Sequence, residues 1–162
     1  GAAMALHRRL LDLALPFPEA GLHDAWFGLM AAAQGGLRPL RQHLMSYRVH
    51  SGNLAGLVPE RRWDRVRQRR SRADVRAIEE TLFASAAERV GPITNPTVSG
   101  VLRAKADFCR FRRSLPLDPG RRLQQIARQV RLGEYARFTK HAGRSIAFDL
   151  LGGEQALVRG RA

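Results

Sequence analysis

The sequence predicts an α/β chain that is mostly α. Three observations carry that expectation. Short apolar runs bounded by Pro and Gly fill the first third and read as strands. Beyond Pro59, apolar residues recur at helical spacing. In that second region Asn95-Pro96 and Asp118-Pro119 each place a capping side chain directly before a proline, the pattern of a helix start.

Taken in order, Ala2 to Leu6 is predicted as a buried strand and Arg8 to Leu15 as a short helix stopped by Pro16-Phe17-Pro18. A loop leads to a buried helix over Asp24 to Ala33, which Gln34-Gly35-Gly36 ends. Leu37 to Leu40 reads as a strand that Pro39 confines to an edge, and Leu44 to Val49 as another. Ser51-Gly52-Asn53 is a turn.

Further on, Ser71-x-x-Asp74 is predicted to open a helix carrying Val75, Ile78, Leu82 and Ala86, closed by Gly91-Pro92. The helix from Asn95-Pro96 has Val98, Val101, Leu102, Phe108 and Cys109 as its apolar side. The helix from Asp118-Pro119 lines one face with Leu123, Ile126, Ala127 and Val130, and Gly133 is its C-cap. A last helix covers Gly143 to Leu151, and the tail from Gly152 to Ala162 is expected to fray. The change of character places a boundary between residues 1–58 and 59–162.

Composition narrows the function. The 162 residues carry 28 Lys plus Arg against 14 Asp plus Glu, a net charge of +14. The excess is concentrated after residue 58. Such a surface attracts phosphate, whether in nucleic acid, a nucleotide or an anionic membrane. Nearly all the cations are Arg, which a GC-rich coding sequence also produces. One cysteine, Cys109, excludes an intrachain disulfide and fits a reducing compartment. The longest apolar stretch, Trp26 to Ala33, is too short to span a bilayer, and no charged-then-apolar leader is present. Opening on Gly1 and not Met, the sequence reads as processed or cut, or as entering a longer frame midway.

Two clusters can carry chemistry. In His23-Asp24-Ala25-Trp26, Asp24 sits at a predicted helix N-terminus, where the dipole favours a carboxylate and a cleft can open before it. Such a group can act as general base, and Trp26 offers a flat face to a sugar ring. The alternative stays open: Asp24 caps the helix and Trp26 is core. In the second cluster, Tyr47-Arg48-Val49-His50 with Asn53, His50 can ligate a metal or touch a diphosphate, Arg48 can pair with phosphate and Tyr47 can pack or hydrogen-bond. A histidine beside a turn is also an ordinary surface residue. Zinc spacing, a Ser/His/Asp arrangement, a P-loop and a dinucleotide fingerprint are all missing.

Together the clusters resemble the acceptor half of a family-2 glycosyltransferase, of the rhamnosyltransferase-like kind. Gly1 to Pro18 looks like the segment before the family's catalytic acid, His23-Asp24-Ala25-Trp26 like its His-Asp-x-Trp motif, and Gly35 to Asn53 like the following Tyr-Arg-Gln-His-x-x-Asn signature. The resemblance covers Gly1 to Leu57. A weaker one runs through Gly133-Glu134-Tyr135, Arg144-Ser145 and Asp149-Leu150-Leu151. Val49 stands where the family has Gln, and Gln42-His43 where it has an acidic-Pro turn.

The resemblance implies that residues 1–58 are the C-terminal part of a GT-A type, Rossmann-like catalytic domain, with 59–162 a basic helical extension. It implies Asp24 as catalytic base, His50 at a metal-diphosphate, and Gly1, His23, Trp26, Tyr47, Arg48 and Asn53 in substrate contact. It further implies a nucleotide-sugar donor, a divalent metal (Mg or Mn) and a glycan or lipid-linked acceptor. The expected location is the cytoplasm, with peripheral contact to an anionic membrane at its inner face. The family's Asp-x-Asp metal motif does not occur in the chain, so the nucleotide-binding half is missing and the isolated chain is expected to be inactive. The other expectation, a basic helical module that binds nucleic acid or a protein partner without catalysis, follows from charge alone. No nucleic-acid motif supports it, and aromatics do not interleave with the basic runs, so nucleic acid ranks below the glycan partner.

Overall fold

A computed structural model of the chain describes residues 3–46, 48, 64–91 and 96–152, with the backbone alone for 64–74. Every regular element among them is an α-helix. These are α1 (Arg8–Ala14), α2 (His23–Ala33), α3 (Asp64–Val90), α4 (Pro96–Arg113), α5 (Pro119–Arg131), α6 (Glu134–Phe138) and α7 (Ala142–Leu150).

The α/β, Rossmann-like GT-A expectation is therefore corrected: the described residues form an all-α arrangement without a strand. Met4 to Leu6, Leu37 to Leu40 and Leu44 to Ser46 are irregular, and their leucines are exposed. A strand is held by a ladder of hydrogen bonds to a neighbour, and an apolar run with no neighbour stays a loop. Ala2, Tyr47 and Val49, which complete two of those runs, lie outside the described residues.

The helix expectations fare differently. Leu15 ends α1 in an extended conformation, as a residue before proline does. At α5 the Asp118 carboxylate accepts from the Arg121 N–H at 2.7 Å, and Gly133 follows its end with φ of 75°. The start at Ser71 is corrected: α3 already runs from Asp64, because the Arg- and Ala-rich stretch is made of good helix formers on both sides of Asp74. The five-residue α6 falls in a stretch for which the sequence predicts no element.

Two cores hang on an antiparallel pair, α3 and α4, which make the most extensive helix contact in the chain. Ala86, Ala87 and Ala106 are buried there, and small side chains let the backbones approach. Ser99 Oγ donates to the Ala87 carbonyl at 3.2 Å across the pair. Glu80 takes hydrogen bonds from Arg110 (2.8 Å) and Arg113 (2.6 Å). The first core joins Ala14, Trp26, Phe27 and Met30 to Leu82, Ala86, Val90 and Leu102, so it draws on both sides of the expected 58/59 boundary. The boundary itself lies outside the described residues. The second core joins Phe108 and Leu115 to Ile126 and Tyr135.

Candidate functional site

Of the residues singled out in the sequence, His23, Asp24 and Trp26 share one helix turn at the start of α2. The chain reaches it through Phe17, Pro18 and Gly21, the last with φ of 98°, a conformation open to glycine at little cost. A Cβ there would lie 2.8 Å from the tip of buried Leu82. The loop therefore passes close against α3, which fixes where α2 begins.

Asp24 sits in the first turn of α2, where unsatisfied N–H groups and the helix dipole favour a negative charge. Its Oδ1 accepts from the Ala25 N–H at 2.8 Å. Two clefts meet this turn. One, of about 210 Å³, is lined by Phe17, Pro18, Leu22, His23 and Trp26 among others. The other, of about 390 Å³, is lined by Ala3, Met4, Asp24 and Ala25. Leu22 and Phe17 are exposed, so the first cleft has an apolar rim beside an imidazole.

Trp26 does not serve as an open platform. It is 1% exposed, its indole N–H donates to the Ala14 carbonyl at 2.8 Å, and the Arg89 guanidinium lies 5.4 Å from its ring centre. Arg89 also donates to the Leu13 carbonyl at 3.3 Å. The last carbonyls of α1, which have no partner within their own helix, are thus met by α2 and α3. The expectation of Trp26 stacking on a sugar is corrected to an anchoring role. It holds the turn that bears Asp24.

Of the second sequence cluster only Arg48 lies among the described residues. Arg48 is exposed. Gly1, Tyr47, His50 and Asn53 lie outside the described residues, so the metal role of His50 and the substrate contacts of the others do too. Among the described residues no group of three His, Cys, Asp or Glu side chains comes together as a metal site. No helix among them is long and apolar enough to cross a membrane.

A charged centre that sequence reasoning missed lies in the second core. Asp149 on α7 is 0% exposed. Arg112 grips it with two bonds, Nε to Oδ2 at 2.6 Å and Nη2 to Oδ1 at 3.0 Å. Arg76 reaches Oδ1 at 3.3 Å, and the Tyr135 hydroxyl donates to Oδ2 at 2.8 Å. Arg122 donates to the Asp149 carbonyl at 3.1 Å and to the Pro116 carbonyl at 2.7 Å. Burial first, and then the Asp149 charge beside it, push the Tyr135 hydroxyl well above the ordinary phenol range. The one signal available was an acid placed directly after the apolar run Ile146-Ala147-Phe148. A carboxylate there is buried only with partners, and a basic chain supplies them.

Cys109 is buried in α4, and burial first pushes its thiol up to about 11. At neutral pH it is a neutral thiol and a poor nucleophile. Searches of protein-family models, of curated proteins and of solved structures show no match to the chain.

Proposed function

We propose that this chain supplies the acceptor side of an inverting glycosyltransferase, with Asp24 as its general base. The observation that supports the reading is the first turn of α2: a carboxylate at a helix N-terminus, beside two clefts, on a helix locked by Trp26 and Arg89. A base must be held within hydrogen-bond reach of the proton it takes, and a braced helix does that better than a loop.

In this reading an acceptor hydroxyl donates to the Asp24 carboxylate. As that proton passes to Asp24, the hydroxyl oxygen attacks the anomeric carbon of a nucleotide-sugar. The bond from that carbon to the diphosphate breaks, the electron pair leaves with the nucleotide, and the configuration inverts. The donor is held outside the first turn of α2. His50 would be the residue of this chain to hold a divalent cation, Mg or Mn, which would supply positive charge to the leaving diphosphate. The acceptor is a glycan or a lipid-linked sugar, which places the protein in the cytoplasm with peripheral contact to the inner membrane face.

The test is transfer by an enzyme that contains this chain together with its nucleotide-binding part. Asp24→Asn is expected to lower kcat by about a hundredfold or more while donor affinity stays unchanged. Retained turnover removes Asp24 from the role.

A second reading, a basic helical module for nucleic acid or a protein partner, draws on the cations of α5. It predicts DNA binding that weakens steeply with salt.

A further inference from the structure

α5 is rotated about its axis relative to an ordinary amphipathic helix. It buries Arg122, 4% exposed, together with Ile126, and shows Leu123 and Val130. Across residues 117–132 there are five large aliphatic side chains. Only Ile126 is buried; Leu117, Leu123, Val130 and Leu132 are 53%, 55%, 43% and 61% exposed. The rotation of the helix is set by two inward groups, Ile126 in the second core and Arg122 on the Pro116 and Asp149 carbonyls. The outward face therefore follows from the packing.

At 3.6 residues per turn, Leu123 and Val130 share one strip, about 50° from Ile126. Arg131 follows about 90° further round, and Arg128 and Arg121 lie about 150° and about 170° round, on the opposite side of the helix. Arg121, Arg128 and Arg131 pair with no carboxylate among the described residues, whereas Arg76, Arg110, Arg112 and Arg113 do. α5 itself contains no acidic residue.

We propose that α5 is a docking surface for an anionic lipid bilayer. An aliphatic strip flanked by Arg131, with Arg128 and Arg121 on the opposite, polar side of a helix of low overall hydrophobicity, suits the boundary between headgroups and acyl chains. The strip enters the boundary, and the long arginine stems bring their charges to the lipid phosphates. A nucleic-acid duplex would use the arginines and leave Leu123 and Val130 without a role. The inference rests on the peripheral membrane contact in the proposed function and not on the chemistry of Asp24. Vesicle binding is read without turnover, so failure of one reading leaves the other standing.

The experiment is co-sedimentation of the 162-residue chain with phosphatidylcholine vesicles, with and without phosphatidylglycerol. Binding is expected only where phosphatidylglycerol is present. R121Q/R128Q/R131Q is expected to weaken it by up to about a hundredfold, since each surface arginine is worth about fivefold. L123S/V130S is expected to weaken it by about tenfold or more, from lost aliphatic burial. Circular dichroism of both variants should match the parent, because all five positions face outward. No binding to the anionic vesicles overturns the proposal, as does equal binding to the neutral ones. Parent-like binding by L123S/V130S overturns it too, and so does tighter binding to duplex DNA that this variant leaves unchanged.

Discussion

Trp26 and Asp24 are neighbours on one turn with opposite fates. Trp26 has its N–H on Ala14, its ring beneath Arg89 and no exposed face, while Asp24 stands where clefts open. A sequence shows that an aromatic is present but not which elements close over it, and here the closure comes from Arg89, far along the chain. Cys109 shows the same dependence on distant residues. Its thiol is buried against Glu79 and raised to about 11. We expect it to resist Ellman's reagent at about pH 8 in the folded protein and to react fully in denaturant. A thiol whose folded pKa is raised contributes stability that is complete below its unfolded value. That contribution is lost as pH rises from about 9 toward about 11. Rapid reaction of the native protein would contradict the burial.

At the scale of elements, the helix starts and stops were legible where local chemistry decides them. Asp118 before Pro119, and Gly133 after α5, are short-range signals and the structure follows them. That the expected strands do not form among the described residues was not legible, because whether a run such as Leu37 to Leu40 finds a ladder partner is not a local property. How far the apolar face of α5 is buried was not legible for a related reason. Its periodicity puts Leu123, Ile126 and Val130 on one side, but Asp149 and Pro116 draw Arg122 inward and turn Leu123 and Val130 partly out. Asp149 is also what holds α7. Asp149→Ala would leave Arg76 and Arg112 buried without their shared carboxylate, and breaking a buried pair costs about 3–5 kcal/mol. Urea unfolding should show a loss of that size. A loss under about 1 kcal/mol would mean that α7 is held by its apolar contacts alone.

Over the whole molecule, α3 and α4 form a spine with one core at each end of the pair. The end with Trp26 carries the candidate base; the end with Asp149 carries the outward-facing α5. The spine explains how a strongly basic chain coheres. Arg110, Arg112 and Arg113 are each drawn to a carboxylate, and Glu80 answers two of them. Burial acts to raise Glu80, but hydrogen bonds and charge from Arg110 and Arg113 outweigh it and hold its carboxyl below the ordinary range. The candidate site was legible as the order His23-Asp24-x-Trp26. Its brace through Ala14, Leu13 and Arg89 was not, since it joins three helices. In the proposed function the first turn of α2 receives a sugar acceptor. The most direct measurement is a nuclear magnetic resonance titration of the ¹⁵N-labelled chain with methyl glycosides of hexoses and deoxyhexoses. Saturable shifts centred on His23, Asp24 and Ala25, removed by Asp24→Asn, are expected. Shifts absent from that turn, or unchanged by the substitution, would contradict it.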